Sequence, residues 1–170
     1  RSFQSFDAGR TWVNPPPVFT NFYSIQFHGD SIVAVSAYGK NFFRFLYSFD
    51  NGNTWDTTRQ GLSFSSNSSP QLIIVKNKLF LKSGTTIYKS YDWGLTWSEL
   101  YGSEITGSWE CMGVTSFRLF NHKNTLYSIG SSAYITRLND STEKWEAVKC
   151  FGVGGARALT LGDYLTVTTP

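Results

Sequence analysis

Short strand-like runs of apolar and aromatic residues alternate with polar turns along the whole chain. The turns are rich in Gly, Asn, Asp and Lys, which is typical of short antiparallel strands. No segment keeps its apolar residues at a spacing of about 3.6, so the pattern predicts an all-β chain with almost no helix. The predicted strands lie at residues 1–6, 11–14, 22–27, 31–37, 42–48, 71–75, 79–82, 86–90, 116–120, 126–129, 134–138, 157–161 and 164–168.

One eight-residue motif recurs between these runs at a nearly constant distance. It reads Ser-aromatic-Asp-x-Gly-x-Thr-Trp and occupies residues 5–12, 48–55 and 90–97. Measured between their aspartates, the copies are 43 and then 42 residues apart. A weaker fourth copy keeps Asp140 and Trp145 but lacks the glycine and the threonine. A period of this length indicates a repeat architecture built from small equivalent units.

The residue types of the motif suit a tight turn. An Asp placed two residues before a Gly can accept hydrogen bonds from the reversing backbone, and the Gly can adopt a positive φ. The Thr hydroxyl can cap the same turn, and the Trp ring can bury a large apolar area. Because the aspartates recur at equivalent positions, we favour a structural role over catalysis or metal binding. The residues assigned this role are Asp7, Gly9, Trp12, Asp50, Gly52, Trp55, Asp92, Gly94, Trp97, Asp140 and Trp145.

The period predicts four repeat units, each the size of a four-stranded propeller blade. The first three blades span about residues 18–60, 61–103 and 104–149, and residues 150–170 begin a fourth. Residues 1–17 supply two further strands, which would complete the fourth blade and close a ring without open sheet edges. The chain is therefore interpreted as a single β-propeller domain of about four blades. The alternative is that it forms part of a larger propeller.

The motif resembles the Asp-box, or BNR repeat, of sialidases and other β-propellers. The resemblance covers four positions in each of three copies, and these copies account for the repeat plan of the whole chain. It implies a sialidase-like propeller whose boxes lie on outer hairpins, away from an active site. The same box is found in glycosidases, sorting receptors, assembly factors and lectin-like proteins, so the resemblance alone does not select a function.

A polar position at the start of each predicted innermost strand is the first candidate ligand site. When the units are aligned on their first turn, this position lies six residues before it. Equivalent positions of a radial repeat converge near its axis, and two guanidinium groups there would suit a carboxylate, sulfate or phosphate. The alternative is a set of solvated side chains lining a wet channel. The residues are Ser24, Gln71, Arg118 and Arg157.

A second candidate site lies in the longest predicted loop, where Trp109 precedes Glu110. An aromatic ring beside a carboxylate could stack on a sugar and hydrogen-bond to it. The resemblance to sialidases would also imply an arginine triad, a Tyr nucleophile with a Glu, an acidic Asp and an Arg-Ile-Pro motif. The chain lacks that motif, and the candidate acids Glu104 and Glu110 have no evident partner.

Cysteines and sequons favour a secretory compartment. Cys111 and Cys150 occupy equivalent positions in consecutive units, so we expect a disulfide, with two free thiols as the alternative. Asn67 and Asn139 begin N-x-S sequons and are candidate glycosylation sites, although a chain rich in Ser and Asn produces sequons by chance. These features predict a secreted or cell-surface protein.

Charge and hydropathy exclude two classes of partner. The net charge of +3 is small and includes no basic run, so we expect no nucleic-acid partner. No apolar run approaches the roughly 20 residues that span a bilayer. We expect neither a cofactor nor a metal. The sequence therefore predicts a non-catalytic module that binds a glycan or an acidic group on a protein, or a rigid scaffold in a homo-oligomer or larger assembly. The alternative is a fragment of a sialidase-like glycoside hydrolase.

Overall fold

The computed structural model describes residues 5, 7, 9–12, 22–38, 42–56, 62, 69–100, 117–130, 134–151, 157–161 and 164–168. Within these residues it contains thirteen β-strands and no helix, and so no helix that could cross a membrane. In chain order the strands are β1 (Phe22–His28), β2 (Ser31–Tyr38), β3 (Phe42–Ser48), β4 (Gln71–Val75), β5 (Lys78–Ser83), β6 (Thr86–Ser90), β7 (Ser98–Leu100), β8 (Phe117–His122), β9 (Thr125–Gly130), β10 (Tyr134–Asn139), β11 (Lys144–Cys150), β12 (Arg157–Leu161) and β13 (Tyr164–Thr168).

The strands form antiparallel meanders in which chain neighbours are also sheet neighbours. We call the sheet β1–β3 blade 1, the sheet β4–β7 blade 2, the sheet β8–β11 blade 3 and the pair β12–β13 blade 4. The predicted all-β fold of antiparallel blades is confirmed. The chain divides into two compact units, Arg1–Ser69 and Pro70–Pro170. The four blade boundaries and the ring closure stay predictions, because residues 1–4 and 13–21 lie outside the described residues.

The first unit is built around β2, the middle strand of blade 1. Val33, Ala34 and Val35 have no exposed surface, so both faces of this strand are covered. Continuous apolar runs are typical of such central strands, whereas half-buried strands alternate. On one face Ala34 and Leu46 pack against the rings of Phe22 and Trp55 and against Ile25.

In the second unit, blades 2 and 3 pack face to face and share one hydrophobic core. Alternate residues of each strand point into it, as the period of two in a strand requires. The core residues are Ile73, Val75, Phe80, Ile87 and Leu100 from blade 2 and Leu119, Leu126, Leu138 and Trp145 from blade 3.

The first strands of these two blades, β4 and β8, lie side by side and are joined by side-chain amides. Gln71 donates its Nε2–H to the Leu119 carbonyl at 2.7 Å, and its Oε1 accepts from the Leu119 N–H at 3.0 Å. Asn121 donates its Nδ2–H to the Ile74 carbonyl at 3.0 Å. Backbone groups at these strand edges are therefore paired across the two blades rather than within a single sheet.

Candidate functional site

Each complete box closes its turn with the same hydrogen bonds. In the second box, Asp50 Oδ1 accepts from the Ser48 hydroxyl and from the Thr54 N–H, both at 2.8 Å. Its Oδ2 accepts from the Thr54 hydroxyl at 2.7 Å. Ser48 Oγ accepts from the Gly52 N–H at 2.7 Å, and Trp55 donates its indole N–H to the Gly52 carbonyl at 3.0 Å. The equivalent bonds of the other two boxes are 2.5 to 3.0 Å long.

The box turn requires a glycine, and its hydrogen bonds keep the aspartate ionised, so that the aspartate cannot act as a proton donor at neutral pH. The box glycines have φ of 87°, 87° and 83°, a region that L side chains rarely adopt. Hydrogen bonds from the Thr hydroxyl and the Thr N–H lower the pKa of both Asp7 and Asp92 to about 2. The Thr54 N–H and hydroxyl likewise lower the pKa of Asp50. Each carboxylate is therefore ionised at neutral pH and bonded within its own hairpin.

The fourth, weaker box closes its turn differently. Asn139 Oδ1 accepts from the Ser141 N–H at 3.0 Å and from the Thr142 N–H at 3.2 Å, which is the role of an Asx turn. The Glu143 N–H donates to the Asn139 carbonyl at 2.8 Å, and Glu143 itself has a φ of 53°. Because Asn139 caps this turn, the carboxylates of Asp140 and Glu143 are free to bind other groups.

Both carboxylates bind the preceding blade. Asp140 Oδ1 accepts from Lys78 Nζ at 3.0 Å, and its Oδ2 pairs with Lys76. Hydrogen bonds from Lys76 and then Lys78 lower the pKa of Asp140. Since Lys76 lies in the β4–β5 turn and Lys78 begins β5, this pairing links blade 3 to blade 2.

Glu143 forms a second link between the same blades. One of its oxygens pairs with Lys89 Nζ, and the other accepts from the Tyr91 hydroxyl at 2.6 Å. The hydrogen bond from Lys89, followed by that from Tyr91, lowers the pKa of Glu143. Burial is the largest single effect and acts to lower the pKa of Lys89, but the hydrogen bonds and charges of Glu143 and Tyr91 together outweigh it and raise that pKa. We call the contacts of Glu143 and Asp140 with blade 2 the inter-blade clamp.

Two cations without a described carboxylate partner lie where β4, β5 and β8 meet. Lys82 is half-buried on β5, directly opposite Gln71, and its Nζ lies 5.0 Å from the centre of the Phe117 ring. Burial lowers the pKa of Lys82, and the positive charge of Arg118 lowers it further. Among the described residues, neither cation forms an ion pair. We call Lys82, Phe117 and Arg118 the cationic site.

The structure brings two of the four predicted strand-start residues together. Arg118 is exposed in the cationic site, and Gln71 lies beside it with both amide atoms bonded to the Leu119 backbone. Ser24 belongs to the first unit, where it pairs with Val35 on β2. Arg157 begins β12, and its side chain lies outside what the structure describes.

Lys82 was missed by the sequence reasoning, although a signal for it exists. The turn at residues 76–77 fixes the register of the β4–β5 hairpin and places Lys82 opposite Gln71. Pairing each strand-start residue with its hairpin partner would therefore have found the second cation.

The other predicted site residues remain untested. Trp109, Glu110, Cys111 and Asn67 lie outside the described residues. Cys150 ends β11, and the predicted disulfide with Cys111 stays a prediction. Asn139 is half-buried and donates its Nδ2–H to Glu146 Oε1 at 2.6 Å, and its glycosylation also stays a prediction. Among the described residues, no group of three or more His, Cys, Asp or Glu side chains could hold a metal ion.

Comparison with known proteins identifies the fold. No protein-family model and no curated protein matches the chain. The structure of YCF48 from Cyanidioschyzon merolae is similar, with a TM-score of 0.63 and 16% identity over 89% of this chain and 50% of that one. A Trypanosoma rangeli sialidase in complex with 2,3-difluorosialic acid is similar at a TM-score of 0.51 and 16% identity, over 98% of this chain and 35% of that one. The chain has a sialidase-like β-propeller fold.

The propeller also resembles proteins described by their partners. A structure of YCF48 bound to D1 peptide matches with a TM-score of 0.58 and 19% identity, over 85% of this chain and 47% of that one. PorZ, a bacterial surface component of the type-IX secretion system of Porphyromonas gingivalis, matches with a TM-score of 0.52 and 16% identity, over 91% of this chain and 24% of that one. The chain thus spans about half the length of the YCF48 structures. At these identities the likeness shows the fold and does not choose among the functions.

Proposed function

We propose that this propeller is a non-catalytic interaction module that binds an acidic group through the cationic site. The observation that carries the proposal is that Gln71, which lies opposite Lys82, bonds to Leu119 beside Arg118 and so brings the two cations to neighbouring strands, while no described carboxylate pairs with either. A guanidinium and an ammonium on neighbouring strands suit an anion with several oxygens, such as a carboxylate, a sulfate or a phosphate.

An anion at this site would relieve an unfavourable arrangement. Two like charges close together, one of them half-buried, disfavour the protonated form of the lysine. A bound anion reverses the sign of the nearest charge and therefore raises the pKa of Lys82. Binding should consequently take up protons from solution at a pH close to the pKa of the free site, and this uptake is a signature of the proposed ligand chemistry.

The described carboxylates do not favour glycoside hydrolysis. A glycosidase needs one carboxyl group with a raised pKa as the acid and a second, ionised group beside it. Here the pKa values of Asp140, Glu143 and Glu146 are all lowered by hydrogen bonds from Lys, Tyr, Asn or Arg side chains. The box aspartates are bonded within their own turns, so we assign them to architecture. Among the described residues a binding function fits better than acid catalysis.

We infer a protein partner first, with an acidic glycan as the second candidate. The YCF48 structure bound to a peptide indicates that this fold can present a peptide-binding surface. The similarity to PorZ, a surface component, is consistent with a secreted or cell-surface location, as are the predicted disulfide and sequons. A scaffold role in a larger assembly would place the same site at a contact between proteins.

Isothermal titration calorimetry of the full chain tests the proposal. The probes are acetate, sulfate, an acidic peptide and sialyllactose, each titrated into wild type, Lys82→Gln and Arg118→Gln. We expect either substitution to weaken binding about tenfold or more, because each removes a charge-assisted hydrogen bond. Lys144→Gln removes an exposed charge on β11 and is the matched control, with affinity unchanged.

Two results would overturn this assignment. Equal affinity in wild type, Lys82→Gln and Arg118→Gln would show that the anion binds elsewhere or through charge alone. Turnover of a fluorogenic sialoside that disappears in Arg118→Ala would instead make the protein an enzyme. If the acidic peptide binds and sialyllactose does not, the partner is a protein; the reverse result favours a glycan.

A further inference from the structure

A cleft of about 220 Å³ opens in the second unit, at the end of β4 and β8 remote from the cationic site. Its floor is formed by the buried apolar side chains of Val75, Leu126 and Leu138. Val75 and Gln71 are four residues apart on β4, which corresponds to about 13 Å at the rise of a strand. The cleft and the cationic site are therefore separate places on the same blades.

The rim of this cleft carries equal numbers of positive and negative side chains. Arg137 and Lys76 supply the cations, and Glu146 and Asp140 supply the carboxylates. Glu146 Oε2 accepts from Arg137 Nε at 2.9 Å, and its Oε1 accepts from Asn139 at 2.6 Å. With two charges of each sign, the rim attracts neither a free anion nor a free cation strongly.

The donors and acceptors of the rim are bonded to one another in pairs and are held in place. Hydrogen bonds from Asn139 and then Arg137 lower the pKa of Glu146, and the clamp lysines do the same for Asp140. Both groups are therefore ionised acceptors at neutral pH, with lone pairs beyond those already used. Among the described residues, the exposed Arg137 is bonded through its Nε to Glu146, which leaves its other guanidinium N–H groups available as donors.

A hydroxyl group is both a donor and an acceptor, so neighbouring hydroxyls match a rim on which carboxylates and cations lie side by side. The apolar floor matches the C–H face of a sugar ring. The volume is below the roughly 300–1,000 Å³ of pockets for drug-sized ligands, which limits the occupant to about one ring. We propose that this cleft binds one neutral sugar ring, held by hydrogen bonds to Glu146, Asp140 and Arg137 over the floor of Val75, Leu126 and Leu138.

NMR titration of the full chain with neutral sugars tests this site. The protein is made in a host that adds no N-glycan, because Asn139 lies on the rim within a sequon. The probes are glucose, galactose, mannose and N-acetylglucosamine, with cyclohexanol as a ring of similar size and a single hydroxyl. We expect at least one sugar to shift the backbone amides of Thr125, Leu138 and Asn139, with a Kd of about 1–10 mM.

Substitutions test whether sugar binding depends on the charged rim of the cleft and whether it is independent of the cationic site. Glu146→Gln keeps the shape and removes the charge, and it should weaken sugar binding about tenfold or more. Glu99→Gln removes an exposed carboxylate on β7 and should leave the affinity unchanged. Arg118→Gln should also leave sugar binding intact, because it lies at the other end of β8, so this site can stand or fall independently of the proposed anion site.

Three outcomes would overturn the proposal. Shifts caused by cyclohexanol and every sugar alike, undiminished in Glu146→Gln, would make the cleft an apolar site for a partner's side chain. Shifts that appear with acetate or with a lysine side-chain analogue, and not with sugars, would make it an ion site. The absence of any shift at 50-fold excess over the expected Kd would leave a cleft filled only by water.

Discussion

Removing one carboxylate of the inter-blade clamp should loosen blade 3 from blade 2. Glu143→Gln keeps a side chain of the same shape and an oxygen that can accept from Tyr91, but it takes away the negative charge. Lys89, whose side chain is only 12% exposed, then loses the carboxylate with which it pairs. Glu143 is 42% exposed, so solvent screens part of the loss.

The magnitude follows from these exposures. A hydrogen bond to a charged group contributes about 1.5–3 kcal/mol when it is shielded, and an exposed ion pair contributes about 0.2–1 kcal/mol. The pair of Lys89 and Glu143 lies between the two cases, so we expect a loss of about 1–2 kcal/mol in the free energy of unfolding. For a chain of this size that corresponds to a fall in Tm of roughly 2–8 °C.

The assay is a double-mutant cycle by differential scanning calorimetry. Lys89→Met keeps the aliphatic packing over the Tyr91 ring, and the double variant Lys89→Met/Glu143→Gln closes the cycle. We expect a coupling energy of about 1 kcal/mol between the two positions. Glu99→Gln changes an exposed residue of β7, serves as the control and should leave Tm unchanged.

The pH dependence gives a second readout. The pKa of Glu143 is lowered from 4.5 in the folded protein, so its contribution is present above about pH 4.5 and is lost as the pH falls through the folded value. The pKa of Lys89 is raised, so its contribution is complete below its unfolded value of 10.5 and is lost only above the folded value. The Tm difference between wild type and Glu143→Gln should therefore be constant from pH 6 to 8 and shrink below pH 4.5. A coupling energy of zero, or a Tm difference that persists unchanged at pH 3, would refute the clamp.

Three further substitutions test the architecture. Gly94→Ala forces a Cβ onto a φ of 83° and should cost about 1–2 kcal/mol in urea unfolding; a neutral result would mean that the box turn relaxes. Gln71→Leu leaves the Leu119 N–H and carbonyl unpaired and should cost about 2–4 kcal/mol by the same measurement, whereas a loss below about 0.5 kcal/mol would show that water replaces the amide. Cys150→Ser should remove about 4 kcal/mol if the predicted disulfide with Cys111 closes its loop of about 40 residues, and an intact-mass measurement in which wild type retains both thiol hydrogens would contradict that bond.

The strands and box turns could be predicted because their determinants are local. The hydrogen bonds that close a box turn join residues two to four positions apart, so the eight-residue motif contains all the partners of that turn. The hairpin turns likewise lie between runs whose apolar character is visible in the sequence. In these elements, the residues that contact one another are also close together in the sequence.

The contacts between blades could not be predicted in the same way. Lys76 and Asp140 are 64 residues apart, Lys89 and Glu143 are 54 apart, and Gln71 reaches Leu119 across 48 residues. The residues around position 140 do not indicate that the fourth, weaker box binds the preceding blade. Gln71 was expected to be a ligand-binding residue, yet its amide is used by a neighbouring strand, because the prediction contained no information on how adjacent blades pack.

The contrast between the two kinds of turn bears on how such a chain can evolve. A corner whose closing hydrogen bonds all lie within eight residues can be duplicated, moved or exchanged with another copy, since those bonds need no partner outside the box. The turn at 139–143 has lost that independence, because its acids require lysines and a tyrosine at fixed places one repeat upstream. Swapping the second and third repeats should therefore be harmful even where every individual sheet still forms. A divergent repeat of this kind therefore fixes the order of the blades along the chain, because it can pack correctly only after a blade that carries its partner residues.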